Sequence, residues 1–195
     1  LAGMRPIDAL VDATNYTMLE TGEPLHAFDY ELLCKRAGGN PPSIITRTAK
    51  QGEMLTLLDG TTQPLDESIE VVADSIGPLS LAGIMGGMDS GISAQTQHVL
   101  LEAASWNFIN IRQTLSKLKI PSEAGWRFSR GVHPALAEQA LRLCLQRMLA
   151  WGGGRLVEGV LDAYLLPPQD PVVTLTEEEI ISRLGEEISL EEAAN

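Results

Sequence analysis

The 195-residue chain is poor in the groups that most often announce a chemistry. It has two cysteines, Cys34 and Cys144, far apart and outside any Cys-x-x-Cys spacing. That excludes a disulfide framework and a dithiol motif, and leaves two thiols in a reducing cytosol. Three scattered histidines do not give the ligand spacing of a structural zinc site, and no metal is expected. No run of 18 apolar residues occurs, so no membrane span is expected. The N-terminus lacks the basic flank, apolar stretch and small-residue cleavage site of a secretory signal. Leu1 is not a natural start, so the chain reads as cut from something longer, in a cytoplasmic protein. Neither G-x-x-x-x-G-K-[ST] nor G-x-G-x-x-G is present, which argues against a nucleotide loop of either kind. No Ser-His-Asp or Cys-His spacing points to a nucleophilic hydrolase.

Positive charge is scarce as well. Fourteen Lys and Arg face 26 Asp and Glu, a net charge of −12, which at first sight disfavours a polyanionic partner. The distribution changes that reading. Residues 170–195 hold eight acids against Arg183 alone, a net of −7, leaving −5 for the rest. Within 112–130, Arg112, Lys117, Lys119, Arg127 and Arg130 stand against Glu123, a net of +4. Such a stripe is compatible with RNA at one place, although charge alone favours an ordinary solvated helix face.

What is present suffices for one core: 44% of the residues are hydrophobic. A helix over the second half of 7–19 is expected to stop at Gly22. Short strand-like runs follow at 43–48, 53–58 (ending at the turn Asp59-Gly60), 68–73, 79–84 and 99–103. The period then changes. Apolar residues at 108, 111, 115 and 118 predict a helix, and 134–151 predicts another, ended by Gly152-Gly153-Gly154. Residues 156–161 read as a strand returning to the sheet. The fold class is therefore α+β, a packed β-sheet core with flanking helices. Three prolines in 165–171 mark a linker between a domain over 1–164 and the truncated start of a helical module over 172–195. In that module Thr176-x-x-Glu179 and Ser189-x-x-Glu192 are capping boxes.

Four polar constellations stand out: Thr14-Asn15 with His26 beyond it, the glycine-rich Gly83-Ile84-Met85-Gly86-Gly87, Glu102 inside an apolar run, and Ser122 to Phe128 with Arg130-Gly131. Each has a structural explanation when taken singly. Asn15 can satisfy a turn, His26 can be a bonded core histidine, the glycines can be a strand crossing, and Glu102 can point outward from an edge strand.

Taken together and in order they resemble one family. The run from Asp12 through Thr14-Asn15 and His26 to Asp29 is similar to the opening of the editing domain in the beta subunit of bacterial phenylalanyl-tRNA synthetases. Leu57-Leu58-Asp59-Gly60, Leu81-Ala82-Gly83-Ile84-Met85-Gly86-Gly87, Leu101-Glu102-Ala103-Ala104 and the stretch from Ser122 to Gly131 follow in the same sequence. The resemblance covers about Arg5 to Tyr164.

The resemblance implies a function: hydrolysis of tRNA(Phe) mischarged with tyrosine. It implies catalytic or water-orienting roles for Thr14, Asn15 and His26, and substrate contacts from Arg5, Gly83, Gly86, Glu102, Ser122 and Ala124. It implies tRNA(Phe) and an alpha subunit, in an α2β2 assembly, as partners. ATP and Mg2+ then belong to the full enzyme with its alpha subunit, with no cofactor in this chain. Arg112, Lys117, Lys119, Arg127 and Arg130 are the candidates for tRNA contact. The chain departs from the family at Ser122, where threonine is usual, and at Gly125-Trp126, Ser129 and His133. Two other function classes are weighed beside it: a non-catalytic tRNA-positioning or assembly module, and a module that binds a free aromatic amino acid.

Overall fold

The computed structural model describes residues 3–164 and 172–193. The chain divides into two compact units, Leu1–Glu158 and Gly159–Asn195. The expected linker at 165–171 lies outside the described residues.

The first unit opens on helix α1 (Ala9–Thr21). Asp8 caps it by accepting from the Leu10 and Val11 amides, each at 2.9 Å. Gly22 ends it in the left-handed conformation at φ 82°, its N–H donating to the Met18 carbonyl. Strand β1 (Leu25–Asp29) follows and leads directly into α2 (Tyr30–Arg36). Asp29 makes that junction. One carboxylate oxygen accepts from the Leu32 amide at 3.0 Å, and the other accepts from the Thr96 hydroxyl at 2.5 Å. Burial would push this carboxyl up, but the bonds from Thr96 and Leu32 hold it below its usual range.

All strand pairing among the described residues is antiparallel. Strands β2 (Ile45–Thr48), β5 (Glu70–Ala73), β6 (Pro78–Leu81) and β7 (Met85–Gly86) form a four-stranded sheet in that order. Strands β3 (Met54–Thr56) and β4 (Thr62–Pro64) form a hairpin over Asp59-Gly60. There Asp59 accepts from the Thr61 amide at 2.9 Å and Gly60 takes φ 84°. Strand β8 (Val99–Ala103) returns to β1 as a two-stranded ribbon. Helices α3 (Phe108–Leu118), α4 (Glu123–Phe128) and α5 (Leu136–Gly152) complete the unit.

Three buried clusters set the layering. Ala13, Ala27, Cys144 and Met148 join α1 and α5 to one face of the ribbon. Phe28, Leu33, Val72, Leu79 and Ala82 join the ribbon and α2 to the sheet. Val71, Ala73, Leu81, Ile111 and Phe128 join the sheet to α3 and α4. Val71 and Val72, adjacent in one strand, thus serve opposite clusters, as the two-residue period of a strand requires. The result is an α+β packing of helix pair, ribbon, sheet and helix pair.

Residues 156–161 are a correction. They were expected as a strand, yet they are irregular and their large side chains are exposed, Leu161 fully so. Apolar and β-branched residues supply propensity, but a strand also needs a partner edge and a face to bury, and these side chains have neither among the described residues. In the second unit, α6 (Glu177–Leu184) and α7 (Leu190–Ala193) open on the two expected capping boxes. The Thr176 hydroxyl accepts from the Glu179 amide at 3.2 Å while Glu179 accepts from the Thr176 amide at 2.9 Å. Ser189 and Glu192 exchange the same pair of bonds.

Candidate functional site

The ribbon positions the site. In its register His26 of β1 lies directly opposite Glu102 of β8. Directly paired residues of an antiparallel ladder point to the same face, so imidazole and carboxyl project together. Phe28 and Leu100 occupy the next pair on that face, and both belong to the cluster packed on the sheet. The site therefore faces the sheet, away from α1 and α5. The Phe28 ring stands edge-on to the imidazole, with centroids 4.4 Å apart and planes at 87°.

Burial disfavours the charged form of both groups. Burial lowers the His26 imidazole to about 4 and raises the Glu102 carboxyl to about 7. His26 Nε2 and Glu102 Oε2 are shielded from solvent and have no hydrogen-bond partner in the protein. A base and an acid set opposite each other would gain by pairing, yet no bond joins these two atoms. Each residue keeps partial exposure overall, although these two atoms are shielded.

The glycine-rich turn closes over this face. A Cβ at Gly86 would meet His26 Cε1 at 2.5 Å and Nε2 at 2.9 Å, so the absence of a side chain is what lets the imidazole approach the backbone. Gly83, at φ 63°, faces the other way, and a Cβ there would meet the Trp106 ring at 2.5 Å. Between them, the Ile84 carbonyl accepts from the Ser122 hydroxyl at 2.5 Å. The same Ser122 oxygen caps α4 by accepting from the Gly125 amide at 3.0 Å. Ser122 therefore ties the turn to α4 with its hydroxyl fully engaged. Ala124 is the second residue of α4, half-buried against the main core. The Ile84 and Gly87 amides are engaged by the Leu81 and Leu79 carbonyls.

The remaining candidates stand differently. Thr14 is buried on α1 and donates its hydroxyl to the Val11 carbonyl at 2.7 Å within its own helix. Asn15 is half-buried beside it. Arg5 is exposed ahead of α1. No hydrogen bond ties any of the three to His26 or Glu102. The five basic residues lie on or next to α3 and α4, and two of them are neutralised. Lys117 pairs with Asp66, and Arg127 with Glu123 at 2.7 Å. Arg112 donates to the Ser129 carbonyl and Arg130 to the Trp126 carbonyl, each at 2.6 Å. Lys119 is exposed at the end of α3, at φ 54°.

One buried acid escaped the reading of the sequence. Glu23 is completely buried, burial raises it to about 8, and neither carboxyl oxygen has a partner in the protein. Its sequence signal was slight: the following Pro24 restricts its backbone to extended conformations but does not decide which way the side chain points. Among the described residues no three metal-ligating side chains gather, and no helix is long and apolar enough to cross a membrane.

Residues 1–153 match the family described as the B3/4 domain. The phenylalanine–tRNA ligase beta subunit of Symbiobacterium thermophilum is 41% identical over 193 residues, covering 99% of this chain and 21% of that protein. The subunit of the same name from Moorella thermoacetica is 41% identical, covering 96% of the chain and 23% of that protein. That of Rhodopseudomonas palustris is 43% identical, covering 97% and 23%. The chain thus spans roughly a fifth to a quarter of the length of these relatives.

Proposed function

Since the chain belongs to the B3/4 domain family, we propose that it is the corresponding region of a phenylalanine–tRNA ligase beta subunit and that the His26–Glu102 site hydrolyses tRNA(Phe) mischarged with tyrosine. The observation that carries this reading is the sheltered, unpartnered Oε2 of Glu102 set opposite His26.

A synthetic pocket for phenylalanine rejects a ligand that merely adds a hydroxyl only about a hundredfold. A second site with the opposite preference removes the error. Glu102 supplies that preference, because a carboxyl near its midpoint at neutral pH either accepts a hydrogen bond from a phenolic hydroxyl or donates one to it. Phenylalanine leaves the carboxyl unpaired, at a cost of about 1–3 kcal/mol.

The aminoacyl ester needs no protein nucleophile. It is labile, and fixing a water and the terminal ribose against it removes much of the barrier. His26, neutral at physiological pH, is suited to orient that water through Nε2 and is too weak a base to drive the step by proton abstraction alone. Gly86 provides the room for this arrangement. Ser122 positions the turn rather than touching substrate, and Thr14, buried with its hydroxyl donated inside α1, takes no part in the step. In this reading the chain takes no part in the ATP–Mg2+ step of the full enzyme. Its glycine-rich turn packs against Trp106, Phe128, His26 and Leu58 instead of offering a row of free amides. In this reading that step belongs to the alpha subunit of an α2β2 enzyme in the cytoplasm. The engaged hydroxyl of Ser122 and the engaged amides of the turn favour a second reading, a module that positions tRNA without hydrolysing it.

Deacylation by the intact enzyme separates the two. Glu102→Ala should slow clearance of tyrosyl-tRNA(Phe) about 30- to 150-fold, the equivalent of losing a bond worth about 2–3 kcal/mol, with phenylalanine charging unchanged. Equal clearance by parent and variant would leave the positioning reading in its place.

A further inference from the structure

The basic stripe resolves into something narrower than its net charge. With Lys117 held by Asp66 and Arg127 by Glu123, the cations left over are Arg112, Lys119 and Arg130. Two of these lie on aromatic rings. Arg112 sits 5.0 Å from the ring centre of Phe108, and Arg130 sits 4.9 Å from that of Trp126. Both guanidiniums are pinned from behind, Arg112 by the Ser129 carbonyl and Arg130 by the Trp126 carbonyl. An arginine has five N–H donors, so each keeps most of them for an outside acceptor. Both rings remain open to solvent, Phe108 at 42% and Trp126 at 60% exposure. A surface indole and a surface phenyl, each with a fixed cation, form a preordered stacking face.

This face is linked to the candidate site through the glycine-rich turn. An open hollow of about 300 Å³ is lined by Pro121, Ser122, Glu123 and Trp126. Ser122, on its rim, is bonded to the Ile84 carbonyl of the glycine-rich turn, whose Gly86 packs on His26, so one turn links the hollow to the site. Glu123 in the hollow is offset by Arg127 and does not present a free negative charge.

We propose that the Phe108–Arg112 and Trp126–Arg130 stacks and the adjoining hollow hold the unpaired nucleotides at the end of the RNA substrate, one base lying on the Trp126 indole and the arginines meeting the phosphates. The proposal rests on the hydrolytic reading for the identity of the RNA. The face itself argues for a single strand. A duplex buries its base faces, whereas an unpaired base offers one to an aromatic ring, and aromatic rings with arginines are how proteins hold single strands. The contribution of these residues is positioning: they set where the terminal ribose falls and take no part in the chemistry.

The test uses the intact enzyme and three probes: tyrosyl-tRNA(Phe), the tyrosyl ester of adenosine, and the single-stranded RNA ACCA. Trp126→Ala should raise KM for tyrosyl-tRNA(Phe) about tenfold and leave kcat within about twofold, as expected for the loss of one stacked base. Trp126→Phe should restore most of the affinity. The adenosine ester lacks the preceding nucleotides, so its hydrolysis should not change. ACCA should quench tryptophan fluorescence in the parent and less so in Trp126→Phe. An unchanged KM in Trp126→Ala, alongside a parent that clears both esters, would overturn this face and spare the hydrolytic reading. A parent that clears neither ester but shows ACCA quenching through Trp126 would do the reverse. If Trp126→Ala weakens subunit association and leaves KM alone, the face is a protein contact and the proposal falls.

Discussion

The two faces of the β1–β8 ribbon are built from alternate residues of the same ten positions. On one face Leu25, Ala27, Val99 and Leu101 meet Ala13, Cys144 and Met148 from α1 and α5. Apart from Asp29 at the end of β1, whose carboxylate is satisfied by Leu32 and Thr96, every group there is apolar or nearly so, and Ala13 and Cys144 are fully buried. On the other face His26 and Glu102 stand opposite each other with a shielded, unpartnered atom apiece, beside a turn that only glycine allows. One step along either strand separates sealed packing from unsatisfied polarity. Stability and reactivity are thus divided by the pleat, with the first face holding the second in register.

That division can be broken by experiment. The largest expected effect lies on the sealed face. Met148→Ala removes a buried side chain that the helix pair cannot collapse around, and should lower stability in urea by about 2–5 kcal/mol. Well below the unfolding midpoint, deacylation of tyrosyl-tRNA(Phe) should stay near the parent rate. A parallel fall in activity would mean that the two faces are not separable.

A smaller effect with the opposite profile is expected at Gly86. The new Cβ of Gly86→Ala would displace the His26 ring, at an overpacking cost of about 1–3 kcal/mol. Here deacylation should fall far more than stability does. Retained activity would show that the imidazole position is immaterial.

The smallest effect sharpens the comparison, because it asks whether an unsatisfied acid by itself marks a reactive face. The unfolded chain releases the Glu23 proton near 4.5, whereas the folded chain keeps it to about 8. Between those values the folded state binds more protons, so this residue's contribution to stability falls as pH rises. Glu23→Gln should remove that fall, raising the urea midpoint at pH 8.5 relative to the parent more than at pH 5. Deacylation should be unaffected. A change in deacylation would extend the site to the end of α1.

Legibility in the sequence followed local signals closely. The helix expected at 108–118 is α3, residue for residue, because its apolar spacing, its Asn107 cap and its core contacts agree. Gly22, Asp59-Gly60 and both capping boxes also stand where their turn chemistry put them. The helix expected at 134–151 begins two residues later, since Pro134 belongs to the turn that precedes it.

What was missed depends on distant partners. Strand β1 carries no clear strand signal, with a proline before it and a histidine and an aspartate inside it, and becomes a strand by pairing with β8. Helices α2 and α4 are too short to show a period. The ion pair between Lys117 and Asp66, 51 residues apart, cancels charge that the local sequence counts as free. His26 and Glu102 were named from a resemblance to a family; their facing each other is a matter of register, which neither stretch of sequence contains.

The ribbon also sets an order of events. Its strands flank almost the whole sheet, with His26 and Glu102 separated by 76 positions in the chain. Joining such distant segments carries a loop-closure entropy that is offset only after the intervening chain has packed. During synthesis the sheet and its hairpin can therefore form while β8 is still unmade. His26 then has no strand neighbour until β8 emerges, so the site is assembled later than the pairing of the sheet's own strands.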